Sequence, residues 1–108
     1  MFGRNRVISS LFPRLKELEK RWKTGQIQLR LVTACSDPVW QERADGVKLK
    51  VSKHGETVVL SVSKPLPDRF DYATVSAIFR NGEFQGYEFS VGGLRAKLDE
   101  NGRIVGAE

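Results

Sequence analysis

The sequence is poor in the residues on which metal sites, disulfides and most catalytic centres depend. It has one cysteine, Cys35, and one histidine, His54, in 108 residues. A lone cysteine excludes a disulfide within the chain and a cysteine-rich zinc site, and it favours a reducing compartment. We therefore expect a cytoplasmic protein that holds no metal and no cofactor.

Long apolar runs are also missing. No run approaches the roughly 18 residues that a membrane-spanning helix needs, and two serines interrupt the short apolar stretch near the start, unlike a secretory signal. The composition, 40% hydrophobic and 29% charged, is typical of a globular domain that buries one core. We expect a single domain over residues 1–108 with no membrane association.

Catalytic groups are equally sparse. A nucleophile needs a base such as histidine held by a third group, but His54 precedes a glycine at a predicted hairpin turn. The nearest paired acids lie in a proline-rich loop (Asp68 with Asp71) and at a turn (Asp99 with Glu100), where acids are common. We predict no catalytic residues and a binding protein, not an enzyme.

Positive charge, in contrast, is concentrated at one end of the chain. The net charge is +5, and residues 1–30 hold eight lysines and arginines against two glutamates. The rest of the chain is close to neutral. Such asymmetry indicates an anionic partner, and we predict nucleic acid ahead of an acidic protein.

This basic end has the pattern of a helix. An apolar residue recurs every three or four positions from Ile8 to Trp22, which predicts a helix over residues 10–23 that ends at Thr24-Gly25. Residues 1–8 are expected to form a basic arm. A solvated helix surface would have the same lysines, but together with the arm they make the predicted anion-binding set: Arg4, Arg6, Lys16, Lys20 and Lys23.

The rest of the chain reads mainly as strands. A period of two predicts a strand from Gln26 to Cys35, and Asp37-Pro38 predicts a short helix near residues 38–44. The fold class is therefore α+β: an N-terminal helix packed on a curled, mostly meander antiparallel sheet of about six to seven strands. Four dipeptides predict the later hairpin turns: His54-Gly55, Asn81-Gly82, Gly92-Gly93 and Asn101-Gly102.

Two-residue loops at these dipeptides fix the register of each hairpin. Val51 is then expected opposite Val58, and Leu98 opposite Val105. In the hairpin around Asn81-Gly82, Tyr72 is expected on the inner face with Ile78. The outer face is expected to have a pair of aromatic residues among cations: Phe79 and Phe84 with Arg30, Lys48, Lys50, Arg95 and Lys97.

Exposed aromatic residues among cations fit two different roles. They form stacking platforms for single-stranded nucleic acid, and they also occur at subunit interfaces, which the apolar residues on the same face favour slightly. We therefore predict a homo-oligomer whose interface includes Phe79, Phe84, Val59 and Val75. A further alternative is a small ligand held between helix and sheet, near Trp22, Tyr72 and Tyr87.

Overall fold

The computed structural model describes residues 2–67 and 71–107, which form one helix and one sheet. Each strand pairs antiparallel with the next one along the chain, so that the sheet is an open seven-stranded meander. The prediction of an α+β fold with an antiparallel sheet is confirmed. The elements are α1 (Phe2–Lys23), β1 (Val39–Ala44), β2 (Val47–His54), β3 (Thr57–Leu66), β4 (Asp71–Arg80), β5 (Glu83–Val91), β6 (Leu94–Leu98) and β7 (Ile104–Ala107).

Helix α1 begins earlier than its apolar pattern predicts. It starts at Phe2, so residues 2–8 continue the helix and do not form a separate arm. Pro13 consequently lies in the helix interior, where it removes one backbone hydrogen bond. The helix ends as predicted, because Thr24 N donates to Lys20 O at 3.0 Å and Gly25 has a φ of 75°, the left-handed conformation that ends many helices.

The apolar face of α1 covers the inner face of the sheet. Leu11 and Leu15 are fully buried and Leu18 is 1% exposed, and all three belong to one core cluster with residues such as Leu60 and Val75. Burial of one such leucine contributes about 1.5–3 kcal/mol. In the part of the chain that the structure describes, no helix is both long and apolar enough to cross a membrane.

The sheet curls around this helix. Arg14 Nη1 lies 3.2 Å from Asp45 Oδ2, in the turn between β1 and β2. Phe12 packs against Gly102, in the turn between β6 and β7, so closely that an added Cβ there would lie 2.8 Å from the ring. The two helix residues are only about 3 Å apart along the axis. Both ends of the sheet thus reach one turn of the helix, which makes the inner face concave and the outer face convex.

The prediction of a short helix near residues 38–44 is wrong, because this segment is strand β1. Asp45 and Gly46, which follow it, have φ values of 54° and 79°. Positive φ at both central residues is what a two-residue type I′ hairpin loop requires, and this loop joins β1 to β2. Val39 and Trp40 are also residue types that favour strands.

The predicted strand from Gln26 to Cys35 is also wrong. This segment pairs with the sheet only through one bridge between Arg30 and Val39. Ile27 is buried as expected, but Leu31 is 61% exposed. A turn interrupts the extended chain just beyond, where Ser36 N donates to Thr33 O at 3.3 Å. Strand β1 therefore forms this edge of the sheet.

The hairpin of β2 and β3 has the predicted inner face in a different register. Its loop is Gly55-Glu56, one position later than predicted, so Val51 faces Leu60 and not Val58. The register thereby shifts by two positions. Because side chains alternate with a period of two, each one stays on its predicted face.

The hairpin of β4 and β5 contains a β-bulge that the turn dipeptide does not predict. Phe79 faces Phe84 as expected, but the next pair is Ile78 with Gly86, and Gln85 has no partner. Gly86 has a φ of 149°, a conformation that residues with a side chain rarely adopt. The extra residue shifts every further pair by one.

This shift reverses the faces of β4, since a slip of one residue moves each side chain to the opposite side. Tyr72 was expected inside but is 57% exposed, and Ile78 likewise lies on the outer face, half-buried. Val75 and Phe79 were expected outside but are 0% and 5% exposed. The expectation that Val75 and Phe79 form an exposed interface is therefore wrong, because both are core residues.

The last two hairpins differ in how well they match the prediction. In the hairpin of β5 and β6, Tyr87 faces Leu98 as expected. In the hairpin of β6 and β7, Leu98 faces Ile104 and not Val105. The turn between β6 and β7 is organised by Asp99, whose carboxylate accepts hydrogen bonds from two backbone N–H groups at 2.8 and 2.9 Å.

Candidate functional site

Two lysines of the predicted anion-binding set are held by a buried carboxylate. Glu19 is 6% exposed. Lys23 Nζ lies 2.8 Å from its Oε2, and Lys16 Nζ lies 3.9 Å from its Oε1. Tyr87 OH donates to Glu19 Oε1 at 2.6 Å and accepts a hydrogen bond from Lys16 Nζ at 2.8 Å. These four side chains form a closed network between α1 and β5.

The network fixes the charge of its buried members. Burial alone would raise the pKa of Glu19, because water stabilises a carboxylate. Hydrogen bonds from Lys23 and Tyr87, with the charges of Lys16 and Lys23, outweigh burial and hold the pKa of Glu19 below its ordinary value. Burial, followed by the hydrogen bond to Glu19, raises the pKa of Tyr87 far above its ordinary value. At neutral pH Glu19 is therefore ionised and Tyr87 is neutral.

The remaining cations of α1 divide into paired and unpaired groups. Arg14 pairs with Asp45, and Arg21 Nη1 lies 3.3 Å from a Glu42 carboxylate oxygen. Arg6 and Lys20 are exposed, and neither forms an ion pair with a described residue. The side chain of Arg4 lies outside the described part of the chain. The helix consequently offers an anion fewer uncommitted cations than its sequence suggests.

The convex outer face of the sheet has two adjacent rows of polar side chains, which we call the polar sheet face. Each row follows the cross-strand pairs from β1 to β6, and the rows are two residues apart along each strand, about 6.8 Å. Three cations and three hydroxyls make up the first row: Arg43, Lys48, Ser63, Thr74, Ser90 and Arg95. The second row consists of Gln41, Lys50, Ser61, Ser76, Glu88 and Lys97. Glu88 is the only carboxylate in the two rows.

Like charges meet directly at the β1 end of this face. Arg43 is the cross-strand partner of Lys48, and Lys50 follows on the same face of β2. No carboxylate among the described residues forms an ion pair with any of the three. Favourable cross-strand pairs contribute roughly 0.2–1 kcal/mol each, whereas like charges directly opposite each other destabilise a sheet. Stability alone does not explain this arrangement.

The same cations line a groove. It has a volume of about 660 Å³ and its walls include Arg43, Lys48, Lys50 and Tyr72. The exposed ring of Tyr72 lies two residues from Thr74 along β4, and therefore on the same face as the first row. The hydroxyls beside it are linked, since Ser63 Oγ and Thr74 Oγ1 are 2.9 Å apart. The groove thus combines positive charge, hydroxyl groups and one accessible aromatic ring.

The three predicted ligand-pocket residues do not converge. Tyr72 lies on the outer face, Tyr87 is 4% exposed within the Glu19 network, and Trp22 lines a separate cleft of about 420 Å³ with Phe79. Phe84 remains 46% exposed, and its ring stacks at a tilt on Tyr87, with centroids 4.7 Å apart. Across the described residues, no three histidine, cysteine, aspartate or glutamate side chains are grouped as metal ligands would be.

The fold and this face define an α+β protein with a helix on one side of an open sheet and a cationic, hydroxyl-rich surface on the other. No protein-family model, curated protein or solved structure matches the chain, so the case for a function comes from its own residues.

Sequence patterns found part of this surface and missed two of its residues. Lys48, Lys50 and Arg95 were expected on the outer face, and they lie there. Arg43 was missed because its segment was interpreted as a helix, although Asp45-Gly46 is a hairpin signal. Tyr72 was missed because a bulge-free register placed it inside.

The Glu19 network predicts a specific response to mutation and pH. Glu19→Gln should lower the free energy of unfolding at neutral pH by about 1–3 kcal/mol, because charge-assisted hydrogen bonds are lost. The folded-state pKa of Glu19 is depressed. Its stabilising contribution is therefore present above the ordinary carboxyl pKa of about 4.3 and is lost as the pH falls through the folded-state pKa. The difference between wild type and variant should shrink in acid, as measured by urea unfolding.

Glu17→Gln is the matched control, because Glu17 is an exposed glutamate on the same helix. It should leave the stability nearly unchanged at every pH. Equal effects of the two substitutions would contradict the structural role given to Glu19.

Proposed function

We propose that this protein binds nucleic acid through the polar sheet face and performs no catalysis. The observation that supports the proposal is the first row, in which three cations and three hydroxyls occur with no carboxylate between them. Lysine and arginine neutralise phosphates, and hydroxyls donate hydrogen bonds to phosphate oxygens. A polymer with one negative charge per residue fits such a row better than a single small anion does.

The proposed binding site lies on the sheet and not on helix α1, where the charge asymmetry of the sequence suggested it. Lys16 and Lys23 belong to the Glu19 network, so a phosphate would have to compete with a buried carboxylate for them. Lys48 and Lys50 have no such competitor among the described residues. We propose the cytoplasm as the location, since an exposed lone thiol such as that of Cys35 suits a reducing compartment.

The test is the salt dependence of binding to labelled DNA and RNA. Each phosphate contact contributes about 0.9 to the slope of log affinity against log salt on duplex DNA and about 0.7 on single strands. Replacement of Lys48 and Lys50 by glutamine should therefore reduce the slope by about 1.4–1.8 and weaken binding at low salt. Fluorescence anisotropy at several salt concentrations measures both quantities.

The matched control removes the same charge from the helix. Arg6→Gln with Lys20→Gln lowers the net charge equally but leaves the sheet and the Glu19 network intact, so its slope should match the wild type. A larger loss from the helix pair than from the sheet pair would assign binding to α1 and overturn the proposal. Absence of any binding to DNA or RNA at low salt, with binding to an acidic polypeptide instead, would also overturn it.

Self-association is a second candidate function, supported by an apolar pair next to the polar sheet face. Val59 and Ile78 are cross-strand partners on the outer face, and both are half-buried. Of the predicted homo-oligomer interface, Val59 alone lies on this face, because Phe84 belongs to the opposite face. If a second copy packs there, sedimentation should give a mass above that of the monomer, and Val59→Ser with Ile78→Ser should reduce it. A monomeric wild type would contradict this candidate.

A further inference from the structure

The polar sheet face has a shape as well as a charge, and its shape distinguishes between forms of nucleic acid. The face is convex, because the turns at both ends of the sheet bend toward one turn of α1, at Arg14 and Phe12. A rigid duplex touches a convex surface over a short distance only. A flexible single strand can follow the curve and bring successive phosphates to the same row of side chains.

The first row also has a direction and a length. It crosses the strands from β1 to β6, so five inter-strand steps of about 4.8 Å give a path of about 24 Å. Cations lie at both ends of this path, at Arg43 and Lys48 on one side and at Arg95 on the other. A chain advances at least the roughly 3.4 Å per nucleotide of a duplex strand, so the path accommodates about seven nucleotides or fewer.

Tyr72 supplies the group that distinguishes unpaired bases from paired ones. Its side chain is 57% exposed and lines the groove with Lys48 and Ser63. A base can stack on this ring only if it is free of its complementary strand, while its own phosphate stays beside the first row. Stacking of this kind tolerates any base, because every base has an aromatic face.

We propose that the polar sheet face binds a single strand of nucleic acid laid across the β-strands, with one base stacked on Tyr72. This inference rests on the proposed nucleic-acid binding and adds the form of the ligand, its direction and the stacking residue. Phosphate contacts and base stacking do not select one sequence, so single strands of different composition should bind with similar affinity.

The test compares a labelled single strand of mixed sequence with its own duplex, for wild type and Tyr72 variants. The single strand should bind about fivefold to a hundredfold more tightly than the duplex, since only unpaired bases stack. Tyr72→Ser should weaken binding of the single strand about tenfold, whereas the affinity of Tyr72→Phe, which keeps the ring, should stay within about twofold of wild type. Affinity should stop rising once the strand exceeds about seven nucleotides.

Phe84→Ser is the matched control, because Phe84 is the other exposed aromatic residue in the hairpin of β4 and β5 but belongs to the opposite face. It should leave the affinity for the single strand unchanged, and circular dichroism checks that each variant is folded. Equal affinity for strand and duplex, or no effect of Tyr72→Ser, would overturn this inference. The proposed function would still hold in either case if the Lys48 and Lys50 variant binds more weakly. If neither the single strand nor the duplex binds at low salt, both the proposed function and this inference are contradicted.

Discussion

A single helix has to cover one whole face of a seven-stranded sheet, and most of the structure follows from this constraint. The sheet curls so that its first and last turns reach the same turn of α1, at Arg14 and Phe12. The residues that face the helix become a continuous apolar core. No second helix is present among the described residues to cover the other side, which must therefore be compatible with water. That requirement explains the serines and threonines of the outer face but not the like-charge pair of Arg43 and Lys48.

The positive charge of the chain occurs in two different settings. On the helix, Lys16 and Lys23 compensate the buried carboxylate of Glu19 and join α1 to Tyr87 on β5. These lysines are structural, although in the sequence they resemble a docking surface. On the sheet, Arg43 and Lys48 oppose each other, and neither forms an ion pair with an acid of the described residues. Cations that repel each other and have no ion-pair partner among the described residues are the better candidates for contact with a ligand.

Local signals predicted the helix, the antiparallel meander and most of the core, but two errors, one of register and one of secondary structure, changed the site. Within β4 and within β5, apolar and polar residues alternate as expected when each strand is considered alone. In β4, the apolar set is Ala73, Val75 and Ala77. The Asn81-Gly82 turn predicts a register that conflicts with this set, and only a bulge at Gln85 reconciles the two. Gly86, an isolated glycine in a strand, is the signal that marks the bulge.

The second error concerned the first edge strand, where Asp37-Pro38 fits a helix start as well as it fits a loop. Asp45-Gly46 was the stronger signal, because two residues with positive φ are needed to join β1 to β2. Sequence patterns could not predict the Glu19 network. It depends on the distance between a helix position and a strand position 68 residues apart, which no local period encodes.

We propose that the cations of the polar sheet face serve a ligand and not the fold. The most direct test is Arg43→Glu, with stability and nucleic-acid affinity measured on the same protein. The substitution turns a like-charge pair with Lys48 into an attractive one, so the free energy of unfolding should stay the same or rise by about 0.2–1 kcal/mol. The affinity should fall, because a phosphate contact is replaced by a repulsive charge. A loss of stability with unchanged affinity would contradict the account.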